Sequence, residues 1–550
     1  MKAKVLGLAA AMSIAAGLTA DNNIVSTLQL NKNSSDSSFT LHKTGWVRVE
    51  GQLPDTVTFQ GSGKADVTVA SRFNRSAVAL LEAGTYTVKN DLDSARRIGQ
   101  NMYCSMDGNF NTDEPVMITV NPRKTGRSGM FLYNWNYLYK NILDPFNVVL
   151  LNSTNNPEIK QWRQQGRKII RRSTILPKTE DTLALWDKVS SEEGIDGIIP
   201  DEFVIPAGRK NASDASLGYN NPGMGFNREN LDNITVWAKN HPQMRFWAWL
   251  GIPWNALNED LKPLIDVINP AGGYVAWESY AFGRKYEQEL KSRYLNRAVG
   301  FKNLPGGMGN FVVCPATFEF IDNNWEVDFK VWLDMQLHTV ATHPDFKGTA
   351  GIGMWIAYYT DPEILRWYSA LVKHYAVDGN TEMLSKQYGF TIQPGLVKSA
   401  NWENLDPWQI SGNAKLVAVK DSKLTLTPYS PKSTANMLLV SGSKDKGVTA
   451  TQQITGLTPG KVYSLEAIVV DPAQDGSEVW YPFTAQMSGV ETLDTTVRQY
   501  HDFMIRKQVF NIYKVRFRAD STGAAIVLKY TPGTDAELLV DSVRITPYFE

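Results

Sequence analysis

Three acidic residues stand where apolar runs stop. Asp201 and Glu202 follow Gly194-Ile-Asp-Gly-Ile-Ile-Pro, and Glu278 follows Tyr274-Val-Ala-Trp. Two carboxyls on one cleft can give and take a proton, or one can attack carbon while the other protonates the leaving group. An unpaired charge inside an apolar run is costly to bury, so Glu278 needs a partner or a task. Neighbours on a strand point to opposite faces, so only one of Asp201 and Glu202 enters a given pocket unless the strand bends at its end. The alternative for this pair is structural: a helix cap, or an ion pair with Arg171 or Arg172. Amides and flat rings recur at similar places: Asn134, Trp135, Trp249, Trp254, Trp277, Tyr280, Trp355 and Tyr358, with a further acid at Glu319. Rings stack on the C–H faces of sugars, amides bond hydroxyls, and carboxylates break glycosidic bonds, so the set points to carbohydrate chemistry. Core packing is the competing explanation for each ring.

The elements that must position these residues alternate. Strand-like runs begin at Gly129, Asn147, Lys168, Ile195, Arg245, Gly273, Phe311 and Gly351. Amphipathic stretches lie between them, for example Thr182 to Glu193, Glu259 to Ile268, Tyr286 to Arg297, Phe329 to Thr342 and Pro362 to Tyr375. Short buried strands separated by helices mean parallel β-α units, and eight of them predict a (β/α)8 TIM barrel over 126–385. A doubly wound open sheet would carry a Gly-rich nucleotide turn after its first strand, and Tyr133-Asn-Trp-Asn is not one. In a barrel the chemistry gathers where strands end, which is where the acids and rings fall. Arg171 and Arg172 alternate across the third strand, so one of them enters the barrel, to hold a carboxylate or an acidic sugar.

Around this unit lie two β-rich stretches. Residues 21–125 alternate apolar and polar between turns (Trp46-Val-Arg-Val, Thr85-Tyr-Thr-Val), which predicts an N-terminal β-sandwich of packing or spacer role. Residues 395–550 contain Gln452-Gln453-Ile454, Gly456-Leu-Thr-Pro-Gly460 before Tyr463, and a final Val540-Asp541-Ser542-Val543 strand. In that order of phrases the segment resembles a carbohydrate-binding module with a galactose-binding-like jelly roll; the resemblance implies a sugar-binding surface, to which Trp480, Tyr481 and Tyr500 could contribute rings. The text around Asp201 loosely resembles the fourth strand of chitinase-like barrel glycoside hydrolases. It departs from their pattern at Ile199 and Phe203, where acids would stand, so their substrate-assisted mechanism does not carry over.

Lys+Arg and Asp+Glu both number 56, so no basic field exists for nucleic acid. The chain has two cysteines, Cys104 and Cys314, which excludes a disulfide scaffold and a Cys-based zinc cluster. His338 and His343 are off the spacing that would set both on one helical face, and no metal or other cofactor is expected. Lys2, Lys4 and the small, apolar run Val5 to Leu18 read as a secretory signal over 1–20, hence a secreted or periplasmic product with no membrane span. The expectation is a glycoside hydrolase with Glu202 as proton donor, helped or replaced by Asp201, and Glu278 as nucleophile or base. A non-catalytic glycan-binding protein on a degenerate barrel is one alternative. A polysaccharide lyase recruiting Tyr280 and Arg171 is another.

Overall fold

The computed structural model describes residues 22–31, 36–99, 102–105, 133, 135–151, 158–176, 178–201, 203, 228–251, 258–281, 286–317, 327–354, 360–422, 424, 436–444, 446–473, 481–501 and 509–550. The expected signal segment lies outside them.

Eight strands open the chain: β1 (Ser26–Leu28), β2 (Ser37–Leu41), β3 (Gly45–Gln52), β4 (Thr56–Gly61), β5 (Val67–Ala70), β6 (Ser76–Leu81), β7 (Gly84–Val88) and β8 (Asp91–Arg97). They form two antiparallel sheets, in the orders β1-β8-β3-β6 and β2-β7-β4-β5. Period-two patterning buries Val47 and Val49 of β3 with Phe39, Val57 and Phe59 in a core of their own.

The middle of the chain is a parallel sheet with helices between its strands. The strands are β9 (Tyr103–Ser105), β10 (Val148–Leu151), β11 (Lys168–Ser173), β12 (Gly197–Pro200), β13 (Arg245–Phe246), β14 (Ala248–Gly251), β15 (Val275–Ser279), β16 (Phe311–Pro315) and β17 (Gly351–Met354). Their order is β13-β12-β11-β10-β9-β17-β16-β15-β14, with every pairing parallel. The two ends of that order, β13 and β14, are separated by Trp247 alone. The helices are α1 (Trp135–Asn141), α2 (Glu158–Gln164), α3 (Thr179–Ser190), α4 (Arg228–Asn240), α5 (Asn258–Ile268), α6 (Tyr286–Glu289), α7 (Asn296–Phe301), α8 (Phe329–Thr342) and α9 (Pro362–Val372), with a π-helical stretch, Leu290–Leu295, joining α6 to α7. Caps fix the starts of the last two: Asp328 accepts from Lys330 N at 3.0 Å and Asp361 accepts from Glu363 N at 2.8 Å. Pro362 stands at the first helical position of α9, where its missing N–H is not needed.

The start of this unit corrects the sequence reading. Tyr103–Ser105 pairs with β10 and β17 and so belongs to the parallel sheet, not to an N-terminal domain ending at 125. The expected strand at Gly129 does not run through to its end, because Trp135 opens helix α1. A three-residue strand reading Tyr-Cys-Ser carries too little apolar signal to compete with Gly129-Met-Phe-Leu-Tyr; its pairing partners select it instead.

The last 150 residues form an antiparallel sandwich of β18 (Gln409–Ser411), β19 (Asn413–Ala418), β20 (Asn436–Gly442), β21 (Val448–Thr455), β22 (Val462–Val470), β23 (Phe483–Ser488), β24 (Val490–His501), β25 (Val509–Ala519), β26 (Gly523–Tyr530) and β27 (Ala536–Pro547). The orders are β18-β21-β26-β23 and β19-β20-β27-β22-β25-β24.

The two sandwiches hold opposite ends of the parallel unit. At the end where strands begin, Asp144, in the turn before β10, takes Arg48 Nη2 at 2.9 Å and Arg72 Nε at 2.9 Å. Its carbonyl accepts from Arg48 and from Arg167, the residue that precedes β11. At the other end, the starts of α8 and α9 meet the six-stranded sheet of the C-terminal sandwich, where Lys514 reaches Asp361 and Glu363. Among the described residues no helix is long and apolar enough to cross a membrane.

Candidate active site

The two faces of the parallel sheet are distinguishable by what their rings touch. Phe246 packs on Trp186 of α3 and Trp237 of α4, with ring centres 4.8 and 5.4 Å apart. Trp277 packs edge-on to Phe301 of α7 at 5.0 Å and near Tyr294 at 5.8 Å. These residues mark the helix side. Side chains alternate along a strand, so Trp249 and Glu278 point to the opposite face, which is helix-free among the described residues, in agreement with the register Gly251↔Glu278. On β11 the register Arg172↔Ile199 gives Arg172 the orientation of Asp201, two residues beyond Ile199.

Strands β11, β12, β14 and β15 thus carry Arg172, Asp201, Trp249 and Glu278 near their C-terminal ends. Contacts tie them in series. Arg172 Nη2 is ion-paired with Asp201 Oδ2. Two residues on, Phe203 N donates to Trp249 O at 2.8 Å, and Trp249 Nε1 donates to Glu278 Oε2 at 2.9 Å. Trp249 is 1% exposed and Glu278 half-buried. The indole N–H orients one carboxylate oxygen of Glu278. The guanidinium of Arg172 holds one carboxylate oxygen of Asp201 in an ion pair.

Several expectations need correction. Trp249 is not an open platform for a sugar ring; it is buried and serves Glu278. Trp277 faces the helices and is core. Trp135 is 1% exposed inside helix α1, stacked on Tyr139 and edge-on to Trp162. Arg171 faces the helix side, gripping Glu192 with Nε at 2.9 Å and Nη2 at 3.3 Å. The arginine that enters is Arg172, and the lyase alternative loses the charge-neutralising group it would recruit. Tyr280, just beyond β15, is half-buried and packs against the central core. In the C-terminal sandwich Tyr481 is core, its hydroxyl donating to Val509 O at 3.0 Å. Glu202, Asn134, Trp254, Glu319, Trp355 and Tyr358 lie outside the described residues, as do Trp480 and the side chain of Tyr500. Among the described residues no three His, Cys, Asp or Glu side chains cluster to hold a metal.

Two substitutions separate core from site. Trp277→Ala should cost about 3–5 kcal/mol of stability through the cavity it leaves and leave the KM of folded protein unchanged. Arg171→Ala should cost no more than about 1 kcal/mol, as partly exposed ion pairs do, with ligand binding intact. Denaturant titration beside a binding isotherm checks both.

No protein-family model matches the chain, and no curated protein matches it. Solved structures do resemble it, at low similarity. A β-glucuronidase of Bacteroides uniformis, covalently bound to cyclophellitol-6-carboxylate aziridine, is 10% identical with a TM-score of 0.31 over 95% of this chain and 80% of its own. A xylanase of Cellvibrio japonicus in complex with xylopentaose is 10% identical with a TM-score of 0.30, over 66% of this chain and 98% of its own. The carbohydrate-binding module TmCBM61, in complex with β-1,4-galactotriose, is 11% identical with a TM-score of 0.19, over 28% of this chain and 97% of its own. Likeness at this level is weak even for the fold, so the functional argument rests on the chain's own side chains.

Proposed function

We propose that this chain is a secreted glycoside hydrolase whose parallel unit closes into a (β/α)8 barrel and whose active site lies on the helix-free face around Glu278. Two backbone bonds support closure: Trp247 N to Ile198 O at 2.9 Å, and Ala248 N to Tyr274 O at 3.0 Å, which join the residues at β13–β14 to both flanking strands. The observation that carries the function is Glu278 itself, a half-buried carboxylate at a strand end, aimed away from the helices and oriented by an indole N–H. A carboxylate so held is prepared to attack the anomeric carbon or to take a proton from water. Asp201, neutralised by Arg172, fixes local charge. The proposed proton donor is Glu202, the next residue; neighbours on a straight strand face apart, so this role requires the strand to bend after Asp201. Separation of the two carboxyls by about 5–5.5 Å would give retention, and by roughly 6.5–9.5 Å inversion.

The test is a polysaccharide panel read by new reducing ends, with the anomer of the first product followed by NMR. Reducing ends from at least one glycan support the reading; none from any, under conditions where the protein binds glycan, reject it. That second outcome is the non-catalytic glycan-binding reading, which the Arg172–Asp201 ion pair favours, since it occupies the acid expected to help or replace the proton donor.

A further inference from the structure

The C-terminal sandwich touches the parallel unit through a charged layer that the reaction does not use. Its six-stranded sheet has two covered faces. Leu465, Ala467, Val469, Tyr513 and Val515 fill the sandwich's own core, whereas Ile468, Val470, Phe510, Ile512 and Leu539 join the core around the parallel sheet. One face of the six-stranded sheet is therefore covered by the chain itself. On that covered face Arg544, Glu466 and Lys514 form one cross-strand row, by the registers Glu466↔Arg544 and Glu466↔Lys514.

Lys514 Nζ stands at the centre of three carboxylates: Glu363 at 3.0 Å, Asp361 at 3.3 Å and Glu466 at 3.3 Å. Lys330 bridges Asp328 at 3.1 Å and Glu363 at 3.0 Å, and Arg544 holds Glu466 at 2.5 Å. Burial opposes the charge on Lys514, but Asp361, Glu363 and Glu466 outweigh it and push its pKa up. A buried network like this is conspicuous for its geometry rather than for net stability, because desolvation consumes much of the attraction.

Its geometry leads back to the proposed site. Asp361 caps α9, so the carboxylate that Lys514 holds also fixes where that helix begins. The preceding residue, Thr360, is clamped on both sides: Tyr133 Oη donates to its carbonyl at 2.7 Å, and its hydroxyl meets that of Thr317 at 2.8 Å. Thr317 lies three residues beyond Cys314, which is in register with Glu278. A continuous set of contacts thus runs from Lys514 through Asp361, Thr360 and Thr317 to the strand beside Glu278.

We propose that Lys514 is a positioning residue of the catalytic face, through which the C-terminal sandwich fixes Thr360 and Thr317, the latter just beyond β16; its kinetic consequence rests on the glycosidase reading, its structural one does not. The sandwich is then a fixed wall of the enzyme, not an appended sugar-binding module. Full-length Lys514→Met is compared with wild type by amide hydrogen exchange and by kinetics on the best-cleaved glycan. Exchange at Asp361 to Arg366 should quicken at least tenfold, with β3 of the N-terminal sandwich unchanged; kcat should fall at least tenfold with KM within threefold, and Lys514→Arg should recover most of kcat. Unchanged exchange at Asp361 to Arg366 overturns the proposal whether or not any glycan is cleaved. Quickened exchange with kcat within threefold of wild type also overturns it, leaving Lys514 a merely structural anchor. If Lys514→Met does not fold, Asp361→Asn keeps a capping side chain and removes the ion pair, and it should quicken the same amides; no change there is again fatal. A wild type that cleaves nothing sinks the glycosidase reading alone, since the exchange result stands apart from it.

Discussion

Glu278→Gln is expected to cut kcat on any cleaved glycan by about 100- to 10,000-fold, the usual loss when a carboxylate that exchanges a proton in the transition state is removed. The substitution is nearly isosteric, and its amide oxygen can still accept from Trp249 Nε1, so the partner at 2.9 Å is not stranded. The thermal midpoint should therefore stay close to that of wild type. Because the lost interaction belongs to the transition state, KM should change far less than kcat. Activity within tenfold of wild type would remove Glu278 from the chemistry. A collapse of fold and activity together would assign it a structural task instead.

Asp144→Asn is expected to destabilise the fold strongly. Arg48, Arg72 and Arg167, each under 5% exposed, converge on this residue. Removing its charge leaves buried guanidinium groups short of an anion, a class of change that costs about 3–5 kcal/mol. The lower end applies, because the Asp144 side chain is 34% exposed and water screens part of the loss. Burial works to raise the pKa of Asp144, but Arg48, Arg167 and Arg72 outweigh it and hold it well below the usual carboxylate range. Glu50 is lowered likewise: burial opposes, while Arg48, Lys373 and Arg96 prevail. The sign follows from linkage. A carboxyl with a depressed folded-state pKa contributes stability that is present above its unfolded pKa and is lost as pH falls through the folded one. Wild type should hold its urea midpoint from neutral pH down to about pH 4, the ordinary carboxylate value, and lose it below. Asp144→Asn should begin lower and show a shallower acid limb. A midpoint that moves by less than the error of the titration at neutral pH would show that the latch adds nothing.

The sequence spoke clearly wherever a strand was long, apolar and bounded. Lys168–Ser173 and Val462–Val470 occur as read, and Phe329–Thr342 is a helix over its whole expected span. It spoke poorly at β9, whose three residues are chosen by their partners. The site was half legible. That one of two adjacent arginines turns inward follows from strand alternation, but which one depends on register with β12, and register is a tertiary fact. The same alternation separates Trp277 from Glu278: neighbours on a straight strand face apart, so the expected ring at 277 goes to the helices as the acid takes the opposite face. Lys514 carried no signal, since a lysine in a strand usually marks solvent. Only the apolar residues alternating with it on both faces, Phe510 and Ile512 against Tyr513 and Val515, hint that neither face of β25 is wet.

The most direct test of the whole account is a crystal structure of Glu278→Gln with an oligosaccharide of the glycan that wild type cleaves. The account predicts a sugar seated on the helix-free face, its anomeric carbon within about 3.5 Å of the side chain at position 278, the range of a near-attack geometry. A sugar found only on the C-terminal sandwich, or only against the helix side of the sheet, would contradict it.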